Sequence, residues 1–289
     1  MHIRKAVLPV AGLGTRVLPA SKVVPKEMLP LVDKPTLQYI VEEAIAAGVE
    51  EIIFVTSRSK RSIEDHFDVF PELEEALERK GKRKELEELR YVQTMATYTS
   101  VRQHQPLGLG HAVLCARELV GDEPFIVMLG DELVAPETPI LPRMTEIHEQ
   151  YGGSVLSLFT SPPEQVSSYG IAAVDDLSDN VVRVNHLVEK PKPEEAPSDL
   201  GIAGRYVLTP DIFALLEKTS PGAGGEIQIT DAIEVQARNG RCFGLRFTGI
   251  RYDTGNPLGL LTTSIAYALK RPDIAPALRA YMQQALEEE

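Results

Sequence analysis

The sequence has no tryptophan and only two cysteines, and aromatic residues make up 6% of its 289 residues. Cys115 and Cys242 stand far apart between apolar neighbours, so we expect buried thiols rather than a disulfide framework or a cysteine-based metal site. Uninterrupted apolar runs are also short, such as Phe125–Leu129, and none approaches the roughly 20 residues that span a membrane. These absences exclude small disulfide-rich folds and predict that the protein has no membrane partner.

Positive charge is scarce as well. The chain has 30 Lys and Arg against 42 Asp and Glu, a formal net charge of −12. Nucleic-acid binding needs an extended positive surface, so we expect no nucleic-acid partner. A small anion can still bind, because a few basic side chains can line one site on an acidic protein. Residues 1–7 lead directly into a strand-like run and lack the apolar region of a signal peptide, which predicts a cytoplasmic protein.

Strand-like and helix-like segments alternate through the first half. Ala6–Ala11, Glu51–Ser57 and Phe125–Asp131 are short apolar runs typical of buried strands. Helical periodicity predicts one helix with Pro35 at its first position and another near Ser59–Phe67. This order predicts an α/β fold, a Rossmann-like mixed and mainly parallel sheet flanked by helices.

After residue 150 the predicted elements are mainly strands. The predicted strands are Ser154–Phe159, Gly170–Asp175, Val181–Glu189, Ile202–Leu208 and Cys242–Tyr252, and the predicted helices are Thr209–Lys218, Glu226–Asn239 and a C-terminal segment from Gly259 to Leu286. In the first half, the highly charged segment Pro71–Arg90 predicts two short helices around Gly81. A solvated surface hairpin is the simpler interpretation of that segment, and a lid or a partner contact is the alternative.

The first chemically suggestive segment is the glycine loop Ala11–Arg16, AGLGTR, at the end of the first strand. Such loops bind ligands at the carboxyl edge of α/β sheets, and their backbone amides can cradle phosphates. Val17 breaks the dinucleotide-binding pattern, and no Gly-Lys-Ser/Thr follows, so neither standard motif applies. Arg16 and the later Lys26 can present two cations to one polyphosphate, although each alone is more often a surface charge.

Two carboxylates follow predicted strands. Asp131 comes after the buried run that starts at Phe125, and Asp253 lies in the segment Tyr252–Asn256. Mg²⁺ takes one or two carboxylates together with phosphate oxygens, so both aspartates are candidate ligands. The alternative for each is a cap or a turn residue.

Three further positions have polar chemistry at loop or strand ends. Gln103 can donate to and accept from a base edge, whereas His111 is better explained as a packing or capping residue. Glu189 and Lys190 end a strand, where they can bind hydroxyls and a phosphate or form an ordinary edge ion pair.

Taken together, these segments resemble the bacterial UTP–glucose-1-phosphate uridylyltransferases. The resemblance covers nearly the whole chain and rests on a set of motifs in the family's order. The motifs are LPVAGLGTRVLPASKVVPKEMLPLVDKP (8–35), RQHQPLGLGHA (102–112), GD (130–131), SYGI (168–171), VEKP (188–191), GRYVLTP (204–210), GEIQITDAI (225–233) and YDTGN (252–256). The resemblance implies a nucleotide-diphospho-sugar transferase-like fold with a nested sugar-binding lobe. It also implies one domain over 1–289, with nucleotide binding in about 1–150, sugar-phosphate binding in about 151–255 and a helical segment in about 256–289.

The resemblance implies that UTP and glucose 1-phosphate give UDP-glucose and pyrophosphate, with Mg²⁺ as cofactor. The implied nucleotide-binding residues are Ala11, Gly12, Gly14, Thr15, Glu27, Gln103, Gly108 and Gly110. The implied catalytic residues are Arg16, Lys26, Asp131 and Lys190. The implied sugar-phosphate site is Gly170, Glu189 and Lys190, and the implied metal ligands are Asp131 and Asp253. Glu132 departs from the family, in which many members carry Asp. Relatives also imply a homo-oligomer, either a dimer or a tetramer.

The implied reaction explains what the sequence does not contain. A sugar phosphate has a second pKa of about 6, so it is already an anionic nucleophile and needs no protein base. The absence of an obvious Ser–His or His–Asp arrangement is therefore expected. Two alternatives stay open: a nucleotidyltransferase for another base or sugar 1-phosphate, and a non-catalytic regulatory relative that binds nucleotide sugars.

Overall fold

A computed structural model gives the fold of the chain. It describes residues 2–288, except for the side chain of Ala223. The strands are β1 Lys5–Pro9, β2 Pro30–Leu31, β3 Lys34–Pro35, β4 Glu51–Thr56, β5 Thr97–Arg102, β6 Phe125–Met128, β7 Glu132–Val134, β8 Ser154–Thr160, β9 Gly170–Ser178, β10 Val181–Glu189, β11 Leu200–Leu208, β12 Cys242–Arg246 and β13 Arg251–Asp253. The helices are α1 Thr36–Ala46, α2 Arg61–Phe67, α3 Pro71–Arg79, α4 Arg83–Thr94, α5 Leu109–Cys115, α6 Arg117–Val120, α7 Leu141–Tyr151, α8 Asp211–Leu216, α9 Ile229–Arg238, α10 Pro257–Ala268 and α11 Ala275–Glu287. Short 3₁₀ turns at Thr15–Val17, Ala20–Lys22 and Lys26–Met28 interrupt the loop after β1.

One nine-stranded sheet organises the fold, in the order β5-β4-β1-β6-β11-β8-β12-β10-β9. The neighbours among β5, β4, β1 and β6 are parallel, as is the pair β8–β12. The strand β11 is antiparallel to both β6 and β8, and β10 is antiparallel to both β12 and β9. A mixed α/β sheet is therefore confirmed, but the prediction of a mainly parallel sheet is wrong, because the second half enters it largely through antiparallel pairs.

Apolar strand residues bury both faces of this sheet. Because side chains alternate along a strand, successive residues of β1 contribute to different cores. Ala6 and Leu8 pack on one side with α1 and α7, and Val7 packs on the other side with α5, α8 and α9. Burial on both faces explains why β1, β4 and β6 are continuous apolar runs.

The carboxyl ends of the parallel strands position the candidate site. The glycine loop follows β1, Lys60 follows β4, Gln103 follows β5, and Asp131 follows β6. Parallel strands end at one edge of a sheet, so these residues are gathered there. A separate two-stranded ribbon, β7 paired with β13, brings Asp253 to the same edge, opposite Glu132.

Several predicted elements differ from the structure. The predicted strand Cys242–Tyr252 is two strands in different sheets, because the chain leaves the main sheet after Arg246 and then pairs with β7. Pro35 is not the first helical residue: it belongs to the short strand β3 and precedes α1 with extended backbone angles. Cys242 is buried as predicted, whereas Cys115 is only half-buried.

The charged segment after Pro71 forms the predicted pair of helices, α3 and α4. Gly81 joins them with a φ of +65°, a value that favours glycine. The α3 helix buries none of its described residues, and the guanidinium of Arg90 pairs with Glu74 and Glu78 across the hairpin. The hairpin is therefore the solvated surface element that the charge pattern predicts. Over residues 2–288, none of the helices is both long enough and apolar enough to cross a membrane.

A buried arginine joins the sheet to α1. The fully buried side chain of Arg205 in β11 donates to both carboxylate oxygens of Glu43, at 3.1 and 2.6 Å. It also donates to the backbone oxygens of Glu132, at 2.8 Å, and Leu129, at 3.4 Å. One side chain thus satisfies acceptors on α1 and on both sides of the β6–β7 turn.

We expect Arg205→Met to lower the free energy of unfolding by about 3 kcal/mol, because removal of one partner leaves the others buried and uncompensated. Urea titration followed by circular dichroism measures the loss. Arg183→Met, at an exposed position in β10, is the control and should change stability by less than about 0.5 kcal/mol. Equal effects of the two substitutions would contradict this assignment.

Candidate active site

The glycine loop forms one wall of a cleft at the carboxyl edge of the sheet. Gly14 has a φ of +67°, and its carbonyl oxygen accepts a 2.7 Å hydrogen bond from Ser21. A cleft of about 350 Å³ is lined by this loop and by the segment that opens α5; the loop residues that line it are Ala11, Gly12, Leu13, Gly14 and Thr15. The four predicted nucleotide-binding residues of the loop therefore face one cavity.

Cations and carboxylates meet at the next position along this edge. The ammonium of Lys26 contacts Oδ2 of Asp131, and the guanidinium of Arg16 lies 3.5 Å from the same oxygen. Arg16 also reaches Asp253, 3.9 Å from its Oδ2. Arg16 is largely exposed, whereas Lys26 and Asp131 are mostly buried. Four of the predicted residues, distant in sequence, thus form one charged cluster.

Gly255 shows how tightly this cluster is packed. A Cβ atom at this position would lie 2.6 Å from both Arg16 Nη2 and Asp131 Oδ2, and 3.0 Å from Asp253 Oδ1. The Asp253 carboxylate also accepts the Gly255 amide at 2.8 Å and the Asn256 side chain at 3.2 Å. Only glycine leaves room for the approach of the Tyr252–Asn256 segment to Asp131.

The charges shift the pKa values of the two buried partners. Burial alone would raise the pKa of Asp131, but the Lys26 ammonium, which also hydrogen bonds to it, and Arg16 outweigh burial and lower that pKa. Burial would lower the pKa of Lys26, but Asp131 and Glu27 outweigh burial and raise it. The pair is therefore held as ammonium and carboxylate at neutral pH.

The donor chemistry of this cluster fits Mg²⁺. Asp131 and Asp253 offer hard carboxylate oxygens at a cavity that is also lined by Thr15 of the glycine loop. Mg²⁺ is bound by one or two carboxylates completed by substrate phosphates and water, rather than by a full protein cage. The part of the chain that the structure describes contains no group of three or more His, Cys, Asp or Glu side chains able to hold a metal.

Glu27 lies beneath this cluster and is almost completely buried. Its Oε2 accepts a 2.8 Å hydrogen bond from the ammonium of Lys60, which is itself 4% exposed. Burial raises the pKa of Glu27 despite the opposing effects of Lys60 and Lys26. A Cβ atom at Gly130 would lie 2.9 Å from the Glu27 side chain. The Glu27–Lys60 pair therefore packs against the turn before Asp131. A direct contact between Glu27 and a nucleoside stays a prediction.

The other wall of the 350 Å³ cleft is formed by Gln103 and by Gly108 and Leu109, which belong to a second glycine-rich loop (residues 106–110). The Gln103 side-chain amide donates to the Gly108 carbonyl at 3.0 Å and lies 3.0 Å from Nδ1 of His111. His111 thus has a polar partner within the protein, and its packing or capping role stays a prediction. Gly108 lines the cleft with a φ of +106°. Gly110 is buried, and its amide donates to the carbonyl of Ile227 at 2.9 Å, so it packs the loop onto its neighbour.

The predicted sugar-phosphate residues line a larger cavity of about 850 Å³, which also contains Asp131 and Asp253. Gly170 pairs with Glu189 across β9 and β10. A Cβ at Gly170 would lie 3.1 Å from the Glu189 carboxylate, whose Oε2 also accepts from Thr230 at 2.7 Å. Lys190 adopts a φ of +47°, and its ammonium lies 3.4 Å from Glu189 Oε1. The mostly buried carboxylate and the half-exposed ammonium thus face the same cavity.

Sequence reasoning missed several residues at this site. Glu132 is buried and bonded to Arg251, and its Oε2 has no hydrogen-bond partner among the described residues. Burial outweighs Arg251 and raises the pKa of Glu132. Lys60 lies in the loop after β4, four residues beyond the end of the strand, so the strand-end rule that selected Asp131 was the available signal for it. Arg251 lies two residues before Asp253 in the sequence. Residues at this spacing in a strand lie on the same face, and this was the signal that could have identified Arg251.

Comparison with known proteins agrees with this geometry. Residues 5–269 match the model of the nucleotidyl transferase family. Two Bacillus subtilis (strain 168) proteins, the UTP–glucose-1-phosphate uridylyltransferase YngB and a second UTP–glucose-1-phosphate uridylyltransferase, are 48% and 50% identical to the chain. The alignments cover 99% of this chain and 97% and 98% of those proteins. The chain belongs to the UTP–glucose-1-phosphate uridylyltransferase family.

Solved structures of family members have the same fold. A UTP-bound enzyme of this family from Acinetobacter baumannii is 42% identical, with a TM-score of 0.89 over 99% of this chain and 100% of that chain. A UDP-glucose pyrophosphorylase complexed with UDP-glucose is 44% identical, with a TM-score of 0.84 over 93% of this chain and 100% of that one. The resemblance read from the sequence motifs is thereby confirmed.

Proposed function

We propose that the chain transfers the uridylyl group of UTP to glucose 1-phosphate, forming UDP-glucose and pyrophosphate. The observation that carries this proposal is the charged cluster of Arg16, Lys26, Asp131 and Asp253, three of which line the larger of two neighbouring cavities. The glycine loop and Gln103 line one of them, and Glu189 and Lys190 line the other. One site can therefore hold a nucleotide and a sugar phosphate with their phosphates side by side.

The proposed reaction is an in-line displacement at the α-phosphorus of UTP. A phosphate oxygen of glucose 1-phosphate forms the new P–O bond, and the bond to the β-phosphate breaks, so that pyrophosphate leaves with the electron pair. In a partly dry cleft with an effective dielectric constant of about 20, like unit charges about 4 Å apart repel by about 4 kcal/mol. The protein must offset this repulsion and align the reactants.

The basic side chains of the site have this role in the proposal. Lys190 binds the phosphate of the sugar, and Glu189 with the Gly170 backbone binds hexose hydroxyls. Arg16 and Lys26 bind the triphosphate and stabilise the leaving pyrophosphate. Lys26 already contacts Asp131, so its ammonium is held beside the proposed main metal ligand.

Mg²⁺ is the proposed cofactor, with Asp131 as its main ligand and Asp253 as a second. Mg²⁺ would supply positive charge that neutralises and orients the phosphates. The oxygen donors present fit this ion, and the adjoining cations complete a strongly anion-binding site.

The division of the chain into functional parts follows from the same assignment. We propose a single domain over 1–289 with a nucleotide-diphospho-sugar transferase-like architecture. Nucleotide contacts lie in about 1–150, sugar-phosphate contacts lie in a nested lobe of about 151–255, and the helical remainder starts near 256.

The helical remainder supports the proposal of a homo-oligomer. Four of its large apolar side chains are strongly exposed, namely Leu258, Leu261, Tyr281 and Leu286. In addition, α11 buries none of its described residues against the rest of the chain. Such a surface is typical of a contact between copies, and analytical ultracentrifugation would show whether the chain forms a dimer, a tetramer or neither.

Pyrophosphate release tests the proposed function. We expect release from UTP, glucose 1-phosphate and Mg²⁺ together, and none when the sugar phosphate is omitted. Parallel reactions with dTTP, CTP, ATP and GTP test the base, and galactose 1-phosphate tests the sugar. A preference for another base or sugar would replace the substrate assignment. No release with any combination, from protein that is folded by circular dichroism, would overturn the enzyme assignment in favour of a regulatory nucleotide-sugar-binding protein.

A further inference from the structure

The ribbon formed by β7 and β13 places three charged side chains on one face. Glu132 lies directly opposite Asp253 in this antiparallel pair, and Arg251 lies one strand repeat before Asp253. Opposite residues, and residues two apart, project to the same side of a ribbon. Asp131 immediately precedes Glu132. One strand of the ribbon therefore carries the candidate metal ligand Asp253, and the other strand begins directly after the second candidate, Asp131.

Arg251 is fixed on this face by contacts on every side. Its Nη1 donates to Glu132 Oε1 at 2.8 Å, and its Nη2 donates to the hydroxyl of Tyr169 at 2.6 Å. The guanidinium carbon lies 4.2 Å from the ring centroid of Phe159 and 4.7 Å from that of Tyr169. The two rings meet edge to face at 5.0 Å. A planar cation held by two hydrogen bonds and two rings has little freedom to move.

The two residues that accept hydrogen bonds from Arg251 both line the large cavity. Glu132 continues directly from Asp131, in the proposed metal site. Tyr169 directly precedes Gly170, in the proposed hexose site, and its carbonyl accepts the amide of Lys190 at 3.0 Å. A single guanidinium thus joins the segment that holds the metal ligand to the loop that holds the sugar phosphate.

The charge of Arg251 is also required locally. Like charges directly opposite each other destabilise an antiparallel pair. Asp253 has Arg16 and the Gly255 amide as partners, whereas the cation that contacts Glu132 is Arg251. Without Arg251, the buried Glu132 carboxylate would lie near Asp131 and Asp253 with its charge uncompensated, and it would turn away from them or displace them.

We propose that Arg251 is a positioning residue for uridylyl transfer, which keeps the metal-binding segment and the sugar-phosphate loop in the register that in-line attack requires. This inference rests on the proposed function. Arg251 touches neither substrate in the proposal: it acts through Glu132 on Asp131, and through Tyr169 on Gly170 and Lys190. Positioning groups one step removed from a metal typically change activity by about 10- to 100-fold.

The test compares Arg251→Lys with the unaltered protein. Lysine keeps the charge but replaces the planar guanidinium fork, which donates to Glu132 and Tyr169 from two different nitrogens, with a single ammonium. We expect kcat to fall roughly 10- to 100-fold and the KM for glucose 1-phosphate to rise several-fold, because both reactants are misaligned. The Kd of UTP, measured by calorimetry without sugar phosphate and without divalent cations, should stay within about twofold, since none of the residues that Arg251 contacts lines the nucleotide cleft.

Two further variants separate positioning from general stability. Arg246→Lys alters an arginine of the nearby strand β12 whose contact is with the exposed Asp176, and it should leave all three constants unchanged. Tyr169→Phe removes only the hydroxyl that accepts from Arg251 and keeps the ring. It should raise the KM for glucose 1-phosphate more than it lowers kcat, and it carries the test if Arg251→Lys does not fold.

The outcomes distinguish this inference from the proposed function. If the unaltered protein is folded but releases no pyrophosphate, the proposed function fails and the inference fails with it. If the unaltered protein is active and both Arg251→Lys and Tyr169→Phe stay within about twofold in kcat and KM, only the inference is overturned. A parallel loss of UTP affinity and kcat would also overturn it, because the fault would then lie in nucleotide binding.

Discussion

Replacement of Asp131 by Asn is expected to lower kcat by roughly 10²- to 10³-fold. The substitution keeps the shape of the side chain but removes the negative charge that a divalent cation needs. It also deprives Lys26 and Arg16 of the oxygen they share. The measurement is the steady-state rate of pyrophosphate release over a series of Mg²⁺ concentrations, and the variant should need much more Mg²⁺ for half-maximal rate.

Two controls accompany this prediction. Asp122→Asn, at an exposed position before β6, should keep the rate and the Mg²⁺ dependence of the unaltered protein. Removal of divalent cations with EDTA should abolish activity in the unaltered protein, and added Mg²⁺ should restore it. Full activity of Asp131→Asn at the same Mg²⁺ concentration would show that Asp131 is not the main metal ligand.

Replacement of Lys190 by Ala is expected to lower kcat/KM for glucose 1-phosphate by roughly 10²- to 10³-fold. Lys190 is half-exposed, its backbone is held in the left-handed region, and its ammonium lies 3.4 Å from Glu189. An ordinary surface ion pair of this kind adds about 1 kcal/mol or less to stability, so the variant should fold normally. The loss should therefore appear in catalysis, because the incoming phosphate then has no ammonium to offset its charge.

The measurement is a pair of titrations, with glucose 1-phosphate varied at saturating UTP and the reverse. We expect the first to show a large increase in KM and the second to show little change. Lys192→Ala is the matched control, because Lys192 lies two residues further along the same segment and contacts only the exposed Glu195 among the ion pairs of the described chain. Equal effects of the two alanine variants would contradict a specific role for Lys190.

The sequence by itself determined the class of the fold and selected most of the residues that the structure gathers at the candidate site. Buried strands such as β1 and β6 could be predicted because residues covered on both faces must be apolar along their whole length. The rule that ligands bind where parallel strands end then selected the glycine loop and Asp131. Gln103 and Lys190, which were selected from motifs at loop and strand ends, each line one of the two cavities. The family resemblance is also confirmed.

The tertiary structure alone decided how the second half of the chain joins the sheet. Strand periodicity shows which residues are buried, but it does not show which strand pairs with which, or in what direction. Hence the antiparallel insertion of β11 between β6 and β8 could not be predicted, and the segment Cys242–Tyr252 was not recognised as two strands in different sheets.

The partners of buried charges were likewise decided only in three dimensions. Lys60 with Glu27, Arg205 with Glu43, and Arg251 with Glu132 each join residues that are far apart in the chain. In sequence, such a residue looks like any surface charge, because charged side chains are usually solvated. Only the fold shows that these charges are buried, and burial is what makes a partner necessary, since an unpaired charge inside a protein is strongly unfavourable.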